Sequence, residues 1–280
     1  MKRNVLFVLL IFLGGAVLAQ NPADVAMKDA TTKLNAKNYE GAIVDYSKVI
    51  ELDQKNSKAY YGRGIAKDRV KDYKGAIEDF SKVIEMNPKD DKALEKRGDA
   101  KEDIKDYQGA VEDYTKVLNI TPNDNKVLLK RARAKEDLKD YAGAIADYDA
   151  LVKLDPKSDK LFFARAIAKL QVQDSTGALN DFVQVTKIDP KNIKGYKGSA
   201  MIKAARKDYP GMISDFDKIL ALDPKDTDAL TNRATAKFNS EDLDGACADW
   251  KKAVELGETS VSALIDENCN GTSAQGQSGQ

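Results

Sequence analysis

Histidine is absent from all 280 residues, and only two cysteines and one tryptophan occur. Without imidazole the chain lacks the commonest proton shuttle and the commonest metal ligand, so nucleophile–base chemistry of the usual kind has no base to draw on. Two thiols with no histidine beside them cannot complete a tetrahedral zinc site. An excess of one charge is missing too: 45 Lys and Arg stand against 45 Asp and Glu, which gives no bulk attraction to nucleic acid or to an anionic membrane. After Gln20 no apolar run approaches the length needed to cross a bilayer.

The only such run stands at the start. Met1-Lys2-Arg3-Asn4 leads into Val5 to Leu13 and then Gly14-Gly15-Ala16-Val17-Leu18-Ala19-Gln20. A basic start, a short apolar stretch and small residues at a junction predict a secretory signal peptide over residues 1–19, cut after Ala19, with a retained membrane anchor as the alternative. Loss of Lys2 and Arg3 would leave a small acidic excess, and no cysteine at the junction offers a lipid anchor. In an exported chain, Cys247 and Cys269 are expected to pair, two buried free thiols being the alternative.

What the chain has in abundance is one pattern with a period of 34 residues. It reads Asn38-Tyr39-Glu40-Gly41-Ala42-Ile43, Asp72-Tyr73-Lys74-Gly75-Ala76-Ile77, Asp106-Tyr107-Gln108-Gly109-Ala110-Val111 and Asp140-Tyr141-Ala142-Gly143-Ala144-Ile145, with degenerate copies around Gly177, Gly211 and Gly245. Such a register means one supersecondary unit copied in series over 23–56, 57–90, 91–124, 125–158, 159–192, 193–226 and 227–260. In the second unit Asn56 caps a helix A carrying Ala59, Tyr60, Arg63, Gly64 and Lys67, and Lys71-Asp72 makes a turn. A helix B follows with Tyr73, Ala76, Ile77, Phe80, Val83 and Ile84 on one stripe. Pro88, Pro122, Pro156, Pro190 and Pro224 close successive units, and Asn56, Asp90, Asp124, Ser158, Asn192 and Asp226 cap the helices that follow.

Small residues recur where two helices must approach. On helix A they are Gly64, Gly98, Ala132, Ala166, Gly198 and Ala234, expected opposite Ala42, Ala76, Ala110, Ala144, Ala178 and Ala246 of helix B. Tyr46, Phe80, Tyr114, Tyr148, Phe182, Phe216 and Trp250 fill the space beside them. Tyr, Gly or Ala, Tyr or Phe, Ala and Pro at these intervals resemble the tetratricopeptide repeat over residues 23–260. The resemblance implies an all-α fold, a right-handed α–α superhelix of seven helical hairpins with A helices lining a concave channel. It also implies peptide or protein binding, without catalysis, cofactor or metal.

The array needs ends. Val261, Leu264 and Ile265 suffice for a short capping helix within 261–269, and residues 270–280 have the composition of a disordered tail. A Cys247–Cys269 bond would clip that cap onto the last hairpin. This ending, a Cys before Asp249-Trp250, then Leu256-Gly257 and a final Cys, resembles that of exported tetratricopeptide proteins from Bacteroidetes-type bacteria.

The chain departs from the common repeat in its charges. Arg63, Arg97, Arg131, Arg165 and Arg233 occupy a usually apolar place on helix A, each followed by Lys67, Lys101, Lys135, Lys169 or Lys237, and helix B carries Asp45, Asp79, Asp113, Asp147, Asp181, Asp215 and Asp249. Either these form a buried ladder of Arg–Asp pairs or they are a solvated charge pattern. The series breaks at Ser199 in the sixth unit, which also has Gly195, Ile202 and Pro210 and is a candidate softer joint.

If A helices line a groove, Glu95, Asp99, Glu102 and Asp103, with Arg133, Glu136 and Asp137, give it an acidic stretch. Phe163, Ile167, Leu170, Met201, Ala204, Ala205 and Phe238 give it an apolar one. Such a groove suits a segment with basic and hydrophobic portions. The plain alternative is that Phe163 and Ile167 are packing residues and the acids solubilise the array. Asp68 beside Arg69, and the acid pairs at 102–103 and 136–137, do not make the basic clamp that grips a C-terminal carboxylate. The expected function is a non-catalytic adaptor of the bacterial envelope, periplasmic or outer-envelope associated, with a protein or peptide partner, no nucleic acid and no membrane insertion once the leader is cut. A carbohydrate-associated role, with Tyr61 and Phe163 stacking on sugar rings, is the second reading.

Overall fold

The computed structural model describes residues 21–269; the expected leader, 1–19, and tail, 270–280, lie outside the described residues. The chain divides into two compact units, residues 1–104 and 105–280. In the first, α1 (Pro22–Asn35) pairs with α2 (Tyr39–Leu52), α3 (Ser57–Arg69) pairs with α4 (Tyr73–Met86), and α5 (Asp91–Asp103) follows. In the second, α6 (Tyr107–Ile120) precedes the pairs α7 (Asn125–Asp137) with α8 (Tyr141–Leu154) and α9 (Asp159–Gln171) with α10 (Ser175–Ile188). Then come α11 (Ile193–Ala205) with α12 (Tyr209–Leu222), α13 (Thr227–Asn239) with α14 (Leu243–Glu255), a 3-10 turn (Thr259–Val261) and α15 (Ser262–Asn268). No strand occurs among the described residues.

Each pair is closed by the same backbone device. After α3, Lys71 takes a left-handed φ of 65°. The Asp72 N–H then reaches the Lys67 carbonyl at 2.8 Å and the Lys71 N–H the Asp68 carbonyl at 3.0 Å, which satisfies the last carbonyls of the helix. Asp72 at once caps α4, its carboxylate accepting from the Gly75 N–H at 3.0 Å. A Cβ on Gly75 would sit 2.2 Å from that carboxylate, so the glycine that marks each repeat makes room for the cap. Lys37, Lys105, Lys139, Gln173, Lys207 and Glu241 repeat the left-handed turn, a conformation that costs about 1–2 kcal/mol in any residue with a side chain.

Between pairs, Asp90 accepts from the Ala93 N–H at 2.9 Å to start α5, and Asn56, Asp124, Asn192 and Asp226 do the same for their helices. Ser158 is the exception: α9 begins without a side-chain cap bond. The core is built from the alanines and aromatics of the repeat, Ala42, Ala76, Ala144 and Phe80 being wholly buried. One register needs correction. A Cβ on Gly64 would meet the Phe80 ring of its own hairpin at 2.8 Å, whereas one on Gly198 would meet Phe182 of the preceding helix at 2.5 Å, as Gly62 meets Tyr46. Gly198 therefore repeats Gly62, and buried Ala200 is the sixth unit's counterpart of Gly64. In that unit Met212 replaces the alanine of all the other repeats and Ile202 that of all but the first, which has Thr32; both are buried.

At the C-terminal end Val261, Ile265 and Cys269 pack on the cluster around Trp250 and Ala253, while Leu264 stays exposed. Cys247 and Cys269 form a disulfide across a 22-residue separation, their Cα atoms 5.7 Å apart. The bond ties α15 to α14, and a loop of this length stabilises by about 2–4 kcal/mol.

Candidate functional site

Every A helix presents the same three positions on one face, spaced i, i+4 and i+7. On α5 they are Glu95, Asp99 and Glu102; on α9, Phe163, Ile167 and Leu170; on α11, Lys197, Met201 and Ala204; on α13, Thr231, Thr235 and Phe238. The chemistry of that face changes along the chain.

In the first unit Tyr61 packs edge-on against Phe80, ring centroids 5.7 Å apart. It lines a cleft of about 350 Å³ with Tyr46, Ile65, Lys58, Asp90 and others. Burial raises the Tyr61 phenol pKa, and the carboxylates of Asp90, Glu95, Asp91 and Asp99 push it further. Glu95, Asp99 and Glu102 are half-buried and each has an interaction partner, whereas Asp103 is exposed. Lys96 pairs with Asp99 at 3.2 Å. Burial also raises the Asp68 carboxyl, Lys96 working against it and Asp103 with it. Acids do gather on the α3 and α5 faces.

In the second unit the apolar candidates separate into two kinds. Phe163 lies edge-on to Phe182 at 5.6 Å, and Leu170 joins the same core cluster with Ala166, Ala178 and Ile202. Ile167, Met201 and Phe238 face solvent, 39%, 54% and 42% exposed, although Phe238 also tilts against Trp250 at 5.7 Å. Two clefts flank Met201. One, of about 390 Å³, is lined by Leu170, Ser175, Ile202, Ala205 and Arg206; the other, of about 370 Å³, by Lys197, Ala200, Ala204, Met212, Phe216, Asp228 and Asn232. Glu136 on α7 is engaged elsewhere, accepting the Tyr148 hydroxyl at 3.1 Å. The two rings named for sugar stacking, Tyr61 and Phe163, are thus both partners of core rings.

The charged residues form three-way contacts. Arg63 grips Asp79 of its own hairpin through Nε at 2.9 Å and Nη2 at 2.7 Å, and its Nη1 donates to Ser47 of the preceding helix at 2.9 Å. Lys67 adds a second cationic group at 3.0 Å from Asp79. Arg131 with Asp147, Arg165 with Asp181 and Arg233 with Asp249 repeat the bidentate pair. Their outer nitrogens reach Thr115, Asp149 and Asp217 on the helix before, and Arg97 likewise reaches Ser81 at 3.0 Å. Asp113 is fully buried, and Asp45 is held by Lys33. In the sixth unit Ser199 stands in the arginine's place, so Lys203 alone holds Asp215, at 2.7 Å. The register position that elsewhere accepts from the arginine is there Val183. Donor and acceptor have gone together, and the Ser199 hydroxyl is left buried without a partner.

Sequence reasoning missed Met212, Asp228, Asn232 and Arg206 of the Met201 clefts. Two of these were findable as departures from the repeat: Met212 stands where Ala42, Ala76, Ala110, Ala144, Ala178 and Ala246 recur, and Arg206 where the same register holds Ala36, Val70, Ile104, Leu138, Val172 and Ser240. Among the described residues no group of three or more His, Cys, Asp or Glu side chains is placed to hold a metal ion, and no helix is long and apolar enough to cross a membrane.

Family profiles described as tetratricopeptide repeat match residues 57–90, 91–124 and 126–158, and a TPR repeat profile matches 36–67. The C-terminal part of a TPR repeat-containing protein from Cytophaga hutchinsonii superposes with a TM-score of 0.67 at 18% identity, covering 85% of this chain and 97% of that one. A tetratricopeptide repeat protein from Parabacteroides merdae gives 0.56 at 16% identity over 89% and 99%. YrrB, described as a TPR protein with an unusual peptide-binding site, gives 0.54 at 17% identity over 68% and 98%. These likenesses establish a TPR-type solenoid fold. No curated protein matches the chain.

Proposed function

We propose that this tetratricopeptide-repeat protein is a non-catalytic scaffold of the bacterial cell envelope, and that it holds a protein segment on the α11 face of its second unit. One observation carries the reading: Met201, a large apolar side chain 54% exposed, forms the ridge between two clefts of about 390 and 370 Å³. A thioether ridge between apolar hollows is an adaptable surface for side chains of a partner. YrrB is described as having a peptide-binding site, which supports use of this fold for peptides. The basic, apolar and small-residue succession over residues 1–19 supports export, and the Cys247–Cys269 bond favours an oxidising compartment, periplasmic or at the outer surface.

Photo-crosslinking in intact envelopes tests this. A probe at Met201 should give a discrete protein adduct that a probe at Val183, exposed on the B helix α10, does not. Equal labelling at both positions, or a glycan adduct at Met201, would remove the reading.

A further inference from the structure

We propose that the cleft formed by α9, α10 and α11 takes a segment in which a large apolar side chain stands beside a carboxylate. The apolar group sits among Leu170, Met201 and Ile202, and the carboxylate meets Arg206. The proposal rests on the α11 face being the docking surface and specifies what docks there.

Charge carries the argument. Arg206 is exposed, and its guanidinium donates to the Thr176 hydroxyl at 2.7 Å and to no carboxylate among the described residues. It is the one charged residue at a register that is otherwise apolar, alanine or serine. The helix it ends, α11, contains Lys194, Lys197 and Lys203 and no acid, unlike every other A helix. The charges nearest the cleft are engaged elsewhere. Lys203 is held by Asp215 at 2.7 Å and Lys197 by Asp226 at 3.0 Å. Asp174, next to the cleft, is engaged as the cap of α10, accepting from the Gly177 N–H at 2.8 Å. Asp228 belongs to the other cleft, beyond Met201. A basic group would be repelled at the Arg206 end, while a carboxylate finds there a planar donor lacking an anionic partner. The cleft's volume of about 390 Å³ lies within the range of small-ligand pockets and leaves room for a large side chain.

Selection of random dodecapeptides displayed on phage against the full chain reads the preference directly. Wild type should enrich peptides with Leu, Ile or Phe next to Asp or Glu. Arg206→Val, which installs the residue found at this register in Val70 and Val172, should keep the apolar preference and lose the acidic one. Arg206→Glu should turn that preference toward Lys and Arg, and a selected acidic peptide should bind this variant about tenfold more weakly than wild type. If the apolar preference depends on Met201 but acids are not enriched, or persist in Arg206→Glu, the carboxylate assignment is overturned while the docking surface stands. If nothing selected responds to Met201→Asp, the docking surface itself falls, and this proposal with it.

Discussion

Asp147→Ala probes the charged core most directly. The Asp147 carboxylate is 3% exposed and accepts from Arg131 Nε at 3.0 Å, from Arg131 Nη2 and from Lys135 Nζ at 2.8 Å. Removing it leaves two cations, 17% and 14% exposed, facing an apolar hole. Breaking a buried ion pair on one side costs about 3–5 kcal/mol, because the surviving charge stays desolvated. The chain supplies its own comparison. Asp215, 8% exposed, meets only Lys203, since Ser199 replaces the arginine. Asp215→Ala should therefore cost about 1.5–3 kcal/mol, the worth of a single charged hydrogen bond. Repeat arrays need not unfold in one step, so the measurement is hydrogen exchange by mass spectrometry on peptides of α7–α8 and α11–α12, in urea, which leaves ion pairs unscreened. An Asp147→Ala cost under about 1 kcal/mol, the value of an exposed pair, would show that these charges are solvated after all. Equal costs at the two sites would refute the count of cations as the cause.

Two further outcomes follow from the C-terminal end. Cys247→Ser with Cys269→Ser should free α15 first: exchange protection of residues 259–269 is lost, and stability falls by about 2–4 kcal/mol, with protection in α7–α10 unchanged. For Asp249, burial alone would raise the carboxyl, but hydrogen bonds from Arg233 and Lys237 overcome it and hold the pKa below the ordinary 3.8. A lowered native pKa stabilises above the unfolded value and is lost as pH falls through the native one. Protection of α13–α14 should thus hold near pH 5 and decline below pH 4, and Asp249→Asn, weaker at neutral pH, should lack that acid-driven decline. An unchanged acid slope in the variant would assign the loss to other groups.

The period, the helix pairs and the cap were legible because they rest on spacing: an apolar stripe, a proline and a capping residue each fall at a fixed offset. The turns were less so. A left-handed residue usually announces itself as glycine, and here the position holds lysine in five of seven repeats, so Lys71 read only as a break in pattern. Glycine misled in the opposite way at Gly198, because Gly62 and Gly64 lie two residues apart and composition could not say which of them it repeats. Phe162 and Phe163 could not both face one side; the structure sets Arg165 over Phe162 at 5.2 Å and turns Phe163 onto Phe182. The second acceptors of the arginines, Ser47, Ser81, Thr115, Asp149 and Asp217, stand in register but have no meaning until the donor's reach is known.

The sixth repeat shows how a surface can become specific within an array of equal units. Every register position faces the same packing demand in each copy, so a lone departure would only weaken the fold. Here Ser199, Val183, Ile202, Met212 and Arg206 all depart near one helix. The first two remove a donor and its acceptor together, Ile202 and Met212 put larger apolar groups where nearly every other repeat has alanine, and these two with Met201 line the flanking clefts. One cost is left uncompensated: the buried Ser199 hydroxyl lacks a partner, at about 1–3 kcal/mol. Alanine would have avoided that penalty. The physical inference runs from the concentration of departures to the surface they share, since no gain inside the repeat accounts for all five, and the α11 face is where each of the clefts around Met201 opens.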